Sequence, residues 1–106
     1  IYQNTVNPQL WQASLEVTKK YPLKIADNQG GFIETDWIYD SNDNQQRCLI
    51  KIQVLSSELI TTGVKTNFIC ETKKIENWTP DNREYLQESN QITLKILEVA
   101  GNLNNT

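Results

Sequence analysis

Hydrophobic and polar positions change their period twice along the chain. From Pro8 onward, Leu10, Trp11, Ser14, Leu15 and Thr18 recur at helical spacing, the mark of a helix with one buried face. Asn7 suits the N-cap and Pro8 the first helical position. Glu16 and Lys20 make a favourable i,i+4 pair, and Tyr21-Pro22 ends the segment. The spacing predicts a helix over residues 8–20. From Leu23 the period falls to two: Leu23, Ile25 and Asp27 alternate with Lys24 and Ala26. After Asn28-Gln29-Gly30-Gly31, the residues Ile33, Thr35, Trp37 and Tyr39 alternate with Phe32, Glu34, Asp36 and Ile38. A three-residue turn over Asn28–Gly30 pairs Asp27 with Gly31, Ile25 with Ile33 and Leu23 with Thr35. That register puts Leu23, Ile25, Ile33 and Trp37 on one face, where a core is expected. Phe32 and Ile38 on the other face mark the second run as central or covered on both sides.

Two further runs keep the period of two. Gln46 to Leu55 carries Cys48, Ile50, Ile52 and Val54 on one face, and Gly63 to Thr72 carries Val64, Thr66, Phe68 and Cys70. A hairpin centred near Leu59 sets Cys48 opposite Cys70, Ile52 opposite Thr66 and Val54 opposite Val64, with both cysteines inward. The helical period then returns. Thr79 reads as an N-cap and Pro80 as a first helical residue, with Asp81 and Glu84 at the positive end of the dipole and Trp78 as a hydrophobic staple. Leu86, Ser89, Thr93, Ile96, Leu97, Ala100 and Leu103 form the stripe of a helix predicted over residues 80–100 and ended by Gly101. The order α-β-β-β-β-α predicts an α+β fold. Its expected form is a helix-grip: a four-stranded antiparallel meander with the N- and C-terminal helices on one face. Residues 1–7 read as a flexible lead-in, 8–101 as a single domain and 102–106 as a frayed end.

Composition narrows the chemistry. The net charge is −3 among 106 residues, and no Lys/Arg cluster exceeds two, which argues against nucleic acid bound through a basic face. Histidine is absent, and with it the commonest general base and metal ligand. No apolar run approaches the ~18 residues of a transmembrane helix. Met is absent too, as expected of a processed or trimmed chain, so an export signal or lipid anchor, if there was one, would lie upstream of Ile1. Cys48 and Cys70 do not fit a metal motif, which leaves a disulfide or two buried thiols. Periodicity does not choose between these, because it does not separate hydrogen-bonded from non-hydrogen-bonded pairs. Asp40-x-Asn42-x-Asn44 opens like a calcium loop, but Gln45 and Lys51 stand where Gly and Glu are needed. Asp27 with Glu34 or Asp36 is a candidate carboxylate pair, yet no nucleophile, base or cofactor motif accompanies it. Asn77-Trp78-Thr79 and Asn104-Asn105-Thr106 are sequons of little weight. No catalytic residue, metal or cofactor is expected.

The segment from Gly30 to Trp37 is the most distinctive. Gly30 and Gly31 suit a turn, Ile33 and Trp37 a core, and Phe32, Glu34 and Asp36 an exposed binding surface. With Trp11, Pro22-Leu23, Asp27, Arg47 and Trp78 before a long helix, the pattern Gly31-x-Ile33-x-Thr35-Asp36-Trp37 resembles a family of uncharacterised proteobacterial envelope proteins. Members often carry a lipoprotein-type or secretory signal. The likeness spans roughly residues 10–100, with Gly31, Ile33, Thr35, Trp37 and Trp78 as its structural motif. The layout also resembles the helix-grip domains of the outer-membrane assembly lipoprotein BamC. The resemblance implies a non-enzymatic module in the periplasm or on the periplasmic face of the outer membrane, lipoprotein-like, binding an envelope protein or assisting outer-membrane assembly. In that oxidising compartment a Cys48–Cys70 disulfide is the favoured state. The alternative is a small apolar ligand carrier with a cavity between the long helix and the sheet. An internal void above about 300 Å³ would favour the carrier, and a filled core with an exposed apolar patch would favour the binding module.

Overall fold

A long hairpin is the frame on which the other elements sit. In the computed structural model, which describes residues 6–42, 44–81 and 85–104, its strands are β4 (Gln46–Val54) and β5 (Val64–Lys74). They pair antiparallel with Cys48 opposite Cys70, Ile52 opposite Thr66 and Val54 opposite Val64, the register that the alternation predicts. The remaining elements are α1 (Pro8–Thr18), β1 (Leu23–Asp27), β2 (Phe32–Thr35), β3 (Ile38–Tyr39), β6 (Asn77–Pro80) and α2 (Leu86–Asn104). The sheet runs β1-β2-β4-β5-β6, with β3 pairing β4 beyond the end of β2. All its pairings are antiparallel. The class is α+β, with six strands rather than the four expected.

Ile33, Ile50, Ile52, Val54 and Val64 from the sheet close one buried cluster with Leu10 and Ala13 of α1 and Ile96 and Ala100 of α2. Both helices therefore pack on the same sheet face, but the expected α2 stripe is buried only in its middle: Leu86 and Leu103 at its ends are 61% and 36% exposed. The other face, carrying Arg47, Lys51, Lys65 and Glu71, is called the open face below. Asn7 caps α1 by accepting the Leu10 N–H at 2.9 Å, and Pro8 takes the first turn as expected. The buried hydroxyls of Ser14 and Thr18 donate to the carbonyls of Leu10 and Ser14 at 2.7 and 2.8 Å, so α1 buries them without an unsatisfied group. Val6 and Asn7 are themselves buried, and the Asn7 N–H donates to the Ser56 carbonyl. The expected lead-in is thus part of the fold at these two positions, and the rest of it, residues 1–5, lies outside the described residues.

Several expectations are corrected, each by one backbone irregularity. The expected single strand over 32–39 is two strands. Ile33 pairs Ile52, whereas Ile38 pairs Cys48, so one extra residue is inserted between Thr35 and Ile38. A bulge of this kind reverses which face the following residues occupy. Trp37, expected in the core, goes instead to the open face and is half-buried. Thr35 Oγ1 accepts the Ile50 N–H at 3.0 Å in the gap, and the Asp36 N–H donates to the Pro22 carbonyl at 2.9 Å.

The first hairpin turn has four residues rather than three, because Asp27 pairs Phe32. Gly31 has φ +71°, and a Cβ there would stand 2.9 Å from the Val54 carbonyl oxygen, so both strain and space demand glycine. Leu23 pairs Thr35 as expected, but a second bulge shifts Ile25 onto Glu34. Leu23 and Ile25 are 36% and 40% exposed, not core. At the other edge, Asn77–Pro80 is a strand rather than a helix start. The Thr79 hydroxyl donates to the Thr72 carbonyl instead of capping, and α2 begins at Leu86. The Asp81 N–H donates to the Cys70 carbonyl; Glu84, expected at the dipole, lies outside the described residues. The helix continues through Gly101 to Asn104, past its expected end. No helix is long and apolar enough to cross a membrane among the described residues.

Candidate functional site

The bulge at Asp36–Trp37 assembles a cluster on the open face. Arg47 of β4 stands directly between its cross-strand neighbours Tyr39 of β3 and Glu71 of β5, so all three side chains share one face. Trp78 joins from β6, where it pairs Lys73. The Arg47 Cζ lies 4.3 Å from the Trp37 ring centroid and 4.2 Å from that of Trp78. Its Nε and Nη2 donate to Glu71 Oε1 at 2.9 and 2.6 Å, and its Nη1 donates to the Tyr39 hydroxyl at 3.4 Å. Tyr39 meets Trp78 edge-on with centroids 6.0 Å apart.

The guanidinium is thus held by indole contacts to its planar group and by hydrogen bonds from its N–H groups together. Burial works against its charge, but the hydrogen bonds to Glu71 and Tyr39 outweigh burial and raise its pKa above the ordinary value. Each cation–π contact contributes about 0.5–2 kcal/mol, more as water is excluded. Because these contacts hold the side chains in one arrangement, covering the cluster would cost little conformational entropy. Trp, Tyr and Arg are also the residues that dominate interface hot spots. Beside the cluster, Leu49 pairs Ile69 on the same face, and Ile69 is 38% exposed.

Of the expected binding residues, Phe32 is half-buried and Asp36 exposed. Glu34 is only 8% exposed, with Lys24 Nζ at 3.6 Å and Lys51 Nζ at 3.7 Å. It is therefore not the exposed carboxylate the alternation implies, since the edge strand β1 brings Lys24 across it. Asp27 Oδ1 accepts the N–H groups of Gln29 and Gly30 and serves the turn. Asp40 does the same for the Asn42 N–H; Asp43 lies outside the described residues, as do Asn105 and Thr106 of the second sequon. Among the described residues no group of three or more His, Cys, Asp or Glu could hold a metal ion. Ile33 and Thr35 of the motif are buried, while Trp78 packs on Arg47 and Tyr39 rather than stapling a helix.

The sulfurs of Cys48 and Cys70 are 2.07 Å apart, a disulfide. Each cysteine is the sequence neighbour of a cluster residue, Arg47 or Glu71, so the bridge ties β4 to β5 on the opposite face of the sheet. The Arg47–Glu71 pairing was implicit in the 48:70 register, which places 47 opposite 71; Tyr39 and Trp37 depend on the bulge, which alternation does not reveal. On the helix side an open cleft of about 320 Å³ is lined by Val17, Tyr21, Ile50, Phe68 and Ile92, with Lys20, Glu88, Gln91 and Lys95 also on its wall.

Comparison with known proteins adds two findings. The family model DUF3576, described as a domain of unknown function, matches residues 4–105. An uncharacterised protein of Rickettsia prowazekii (strain Madrid E) is 31% identical over 74 residues, which is 70% of this chain and 44% of that protein. The chain therefore spans less than half the length of this relative.

Proposed function

We propose, for a chain that belongs to the DUF3576 family, a non-enzymatic role: a protein-binding module of the bacterial envelope, at the periplasm or the periplasmic face of the outer membrane. The observation that carries this reading is the ordered Arg47–Trp37–Trp78–Tyr39 cluster on the sheet face opposite the helices. It has the composition and rigidity of a recognition surface. The Cys48–Cys70 disulfide supports the location, since such bonds persist in oxidising compartments. A helix-grip arrangement is the finer reading of two helices gathered on one face, and assisting outer-membrane assembly is one form the binding would take.

A second reading is a carrier of a small apolar ligand in the cleft between α2 and the sheet. Its volume of about 320 Å³ meets the lower end of ligand-pocket sizes. The cleft is open rather than internal, which ranks it second. The test is fractionation of the source bacterium with thiols alkylated before reduction, joined to affinity capture. The protein is expected in the periplasmic or outer-membrane fraction with both cysteines protected. Trp78→Ala is expected to weaken partner capture at least tenfold, about 1.4 kcal/mol or more. Free thiols in a cytoplasmic fraction would refute the location, and capture indifferent to Trp78 would refute the site.

A further inference from the structure

We infer that the open face of the sheet docks an acidic protein segment; this rests on the protein-binding reading above and names its partner's chemistry. The chain as a whole carries a net charge of −3, yet the open face has the opposite sign. Lys51 and Arg47 of β4, Lys65 and Lys73 of β5 and Lys24 of β1 surround it. Of its carboxylates, Glu71 is engaged by Arg47, Glu34 by Lys24 and Lys51 and Asp27 by its own turn, which leaves the exposed Asp36 at the bulge beside Trp37. Among the described residues, no carboxylate lies within ion-pair distance of Lys65 or Lys73.

Between these cations lies an apolar and aromatic middle: Trp37, Trp78, the 52%-exposed Tyr39, and Ile69 beside Leu49. An apolar middle inside a charged rim is the anatomy of a protein interface. The sign of the rim selects the partner, because like charges across an interface are repelled and opposite ones steered together. The fitting occupant is a segment whose apolar side chain covers Ile69 and the indoles while its Asp or Glu residues reach Lys65 and Lys73. A nucleic acid fits less well, since the chain as a whole carries a net charge of −3 and no Lys/Arg cluster long enough to track a polyanion.

The experiment is photocrosslinking in the source bacterium with benzoylphenylalanine replacing Ile69 on the open face or, for comparison, the exposed Leu94 on α2. The expected result is an adduct at position 69 to one protein, through a segment rich in Asp and Glu. Lys65→Glu with Lys73→Glu is expected to cut that adduct at least tenfold, Lys65→Gln with Lys73→Gln several-fold, and Lys95→Glu on the helix side not at all. Circular dichroism checks that the variants fold, and the glutamine pair decides if the reversal does not. An adduct through a neutral or basic segment, or one indifferent to Lys65 and Lys73, overturns the acidic partner while leaving the protein-binding reading intact. An adduct at 69 to a second copy, to lipid or to nucleic acid, or no adduct there, overturns the proposal. If position 94 captures no protein either, the protein-binding reading falls with it.

Discussion

Thr35 shows how one side chain can bridge a gap in a ladder. Where the chain bulges away from β4, its hydroxyl replaces a strand carbonyl as acceptor for the Ile50 N–H, and it does so fully buried. Thr35→Val keeps the shape and removes the acceptor. It is expected to lower stability by about 2 kcal/mol, the cost of an unsatisfied buried donor, read from the urea midpoint of the purified protein. Ile75 is the converse case. It closes the two-residue β5–β6 turn with φ +59° and is 96% exposed, a backbone setting poorly suited to a β-branched side chain. Ile75→Asn gives up almost no burial and relieves the strain, and it is expected to raise stability by about 1 kcal/mol in the same measurement. Neither residue is conspicuous in the sequence. Thr35 reads as an ordinary strand residue and Ile75 as an ordinary hydrophobe, because hydrogen-bond partners and positive φ are set by distant strands.

At the scale of elements, local signals succeed where the element's own pattern decides and fail where pairing overrides it. Asn7-Pro8 starts α1 as read, since a cap acts within one turn. Thr79-Pro80-Asp81 carries equally good helix-start chemistry, yet it forms β6. There β5 offers a free edge, and the backbone of Asn77–Pro80 is satisfied by pairing with it. Tyr85, just before α2, packs on Phe68 at 5.6 Å and donates to Asp81, which helps fix where the helix enters. Gly101 misleads in the other direction, because α2 runs straight through it. Beyond its chain neighbours and its own helix backbone, nothing lies within 4 Å of where its Cβ would be. Gly101→Ala is therefore expected to stabilise the protein by roughly 0.8 kcal/mol, the helix-propensity difference, seen as a higher thermal midpoint.

Taken whole, the molecule is a sheet with one face for the core and one for the outside, and the disulfide lies on the core face, directly behind Arg47 and Glu71. Closing a loop of separation 22 restricts the unfolded chain by about 3 kcal/mol in the chain-entropy model. Replacing both Cys48 and Cys70 by Ser is expected to lower the unfolding free energy by that amount, in a single cooperative transition followed by denaturant titration. The sequence by itself determined the class, the β4–β5 register, the first helix with its buried stripe and the middle of the α2 stripe around Ile96 and Ala100, because periodicity and capping are properties of neighbouring residues. It also placed Cys48 opposite Cys70 and, by the same register, Arg47 opposite Glu71. Only the tertiary structure decided that Trp37 leaves the core, that Glu34 is covered by Lys24, that β6 replaces a helical turn, and that two indoles flank one arginine. Each of these turns on a single inserted residue or on a competition between strands far apart in the chain. A one-residue slip moves every following side chain to the other face, and the balance of packing and hydrogen bonding across the sheet, not the local pattern, settles where such a slip occurs.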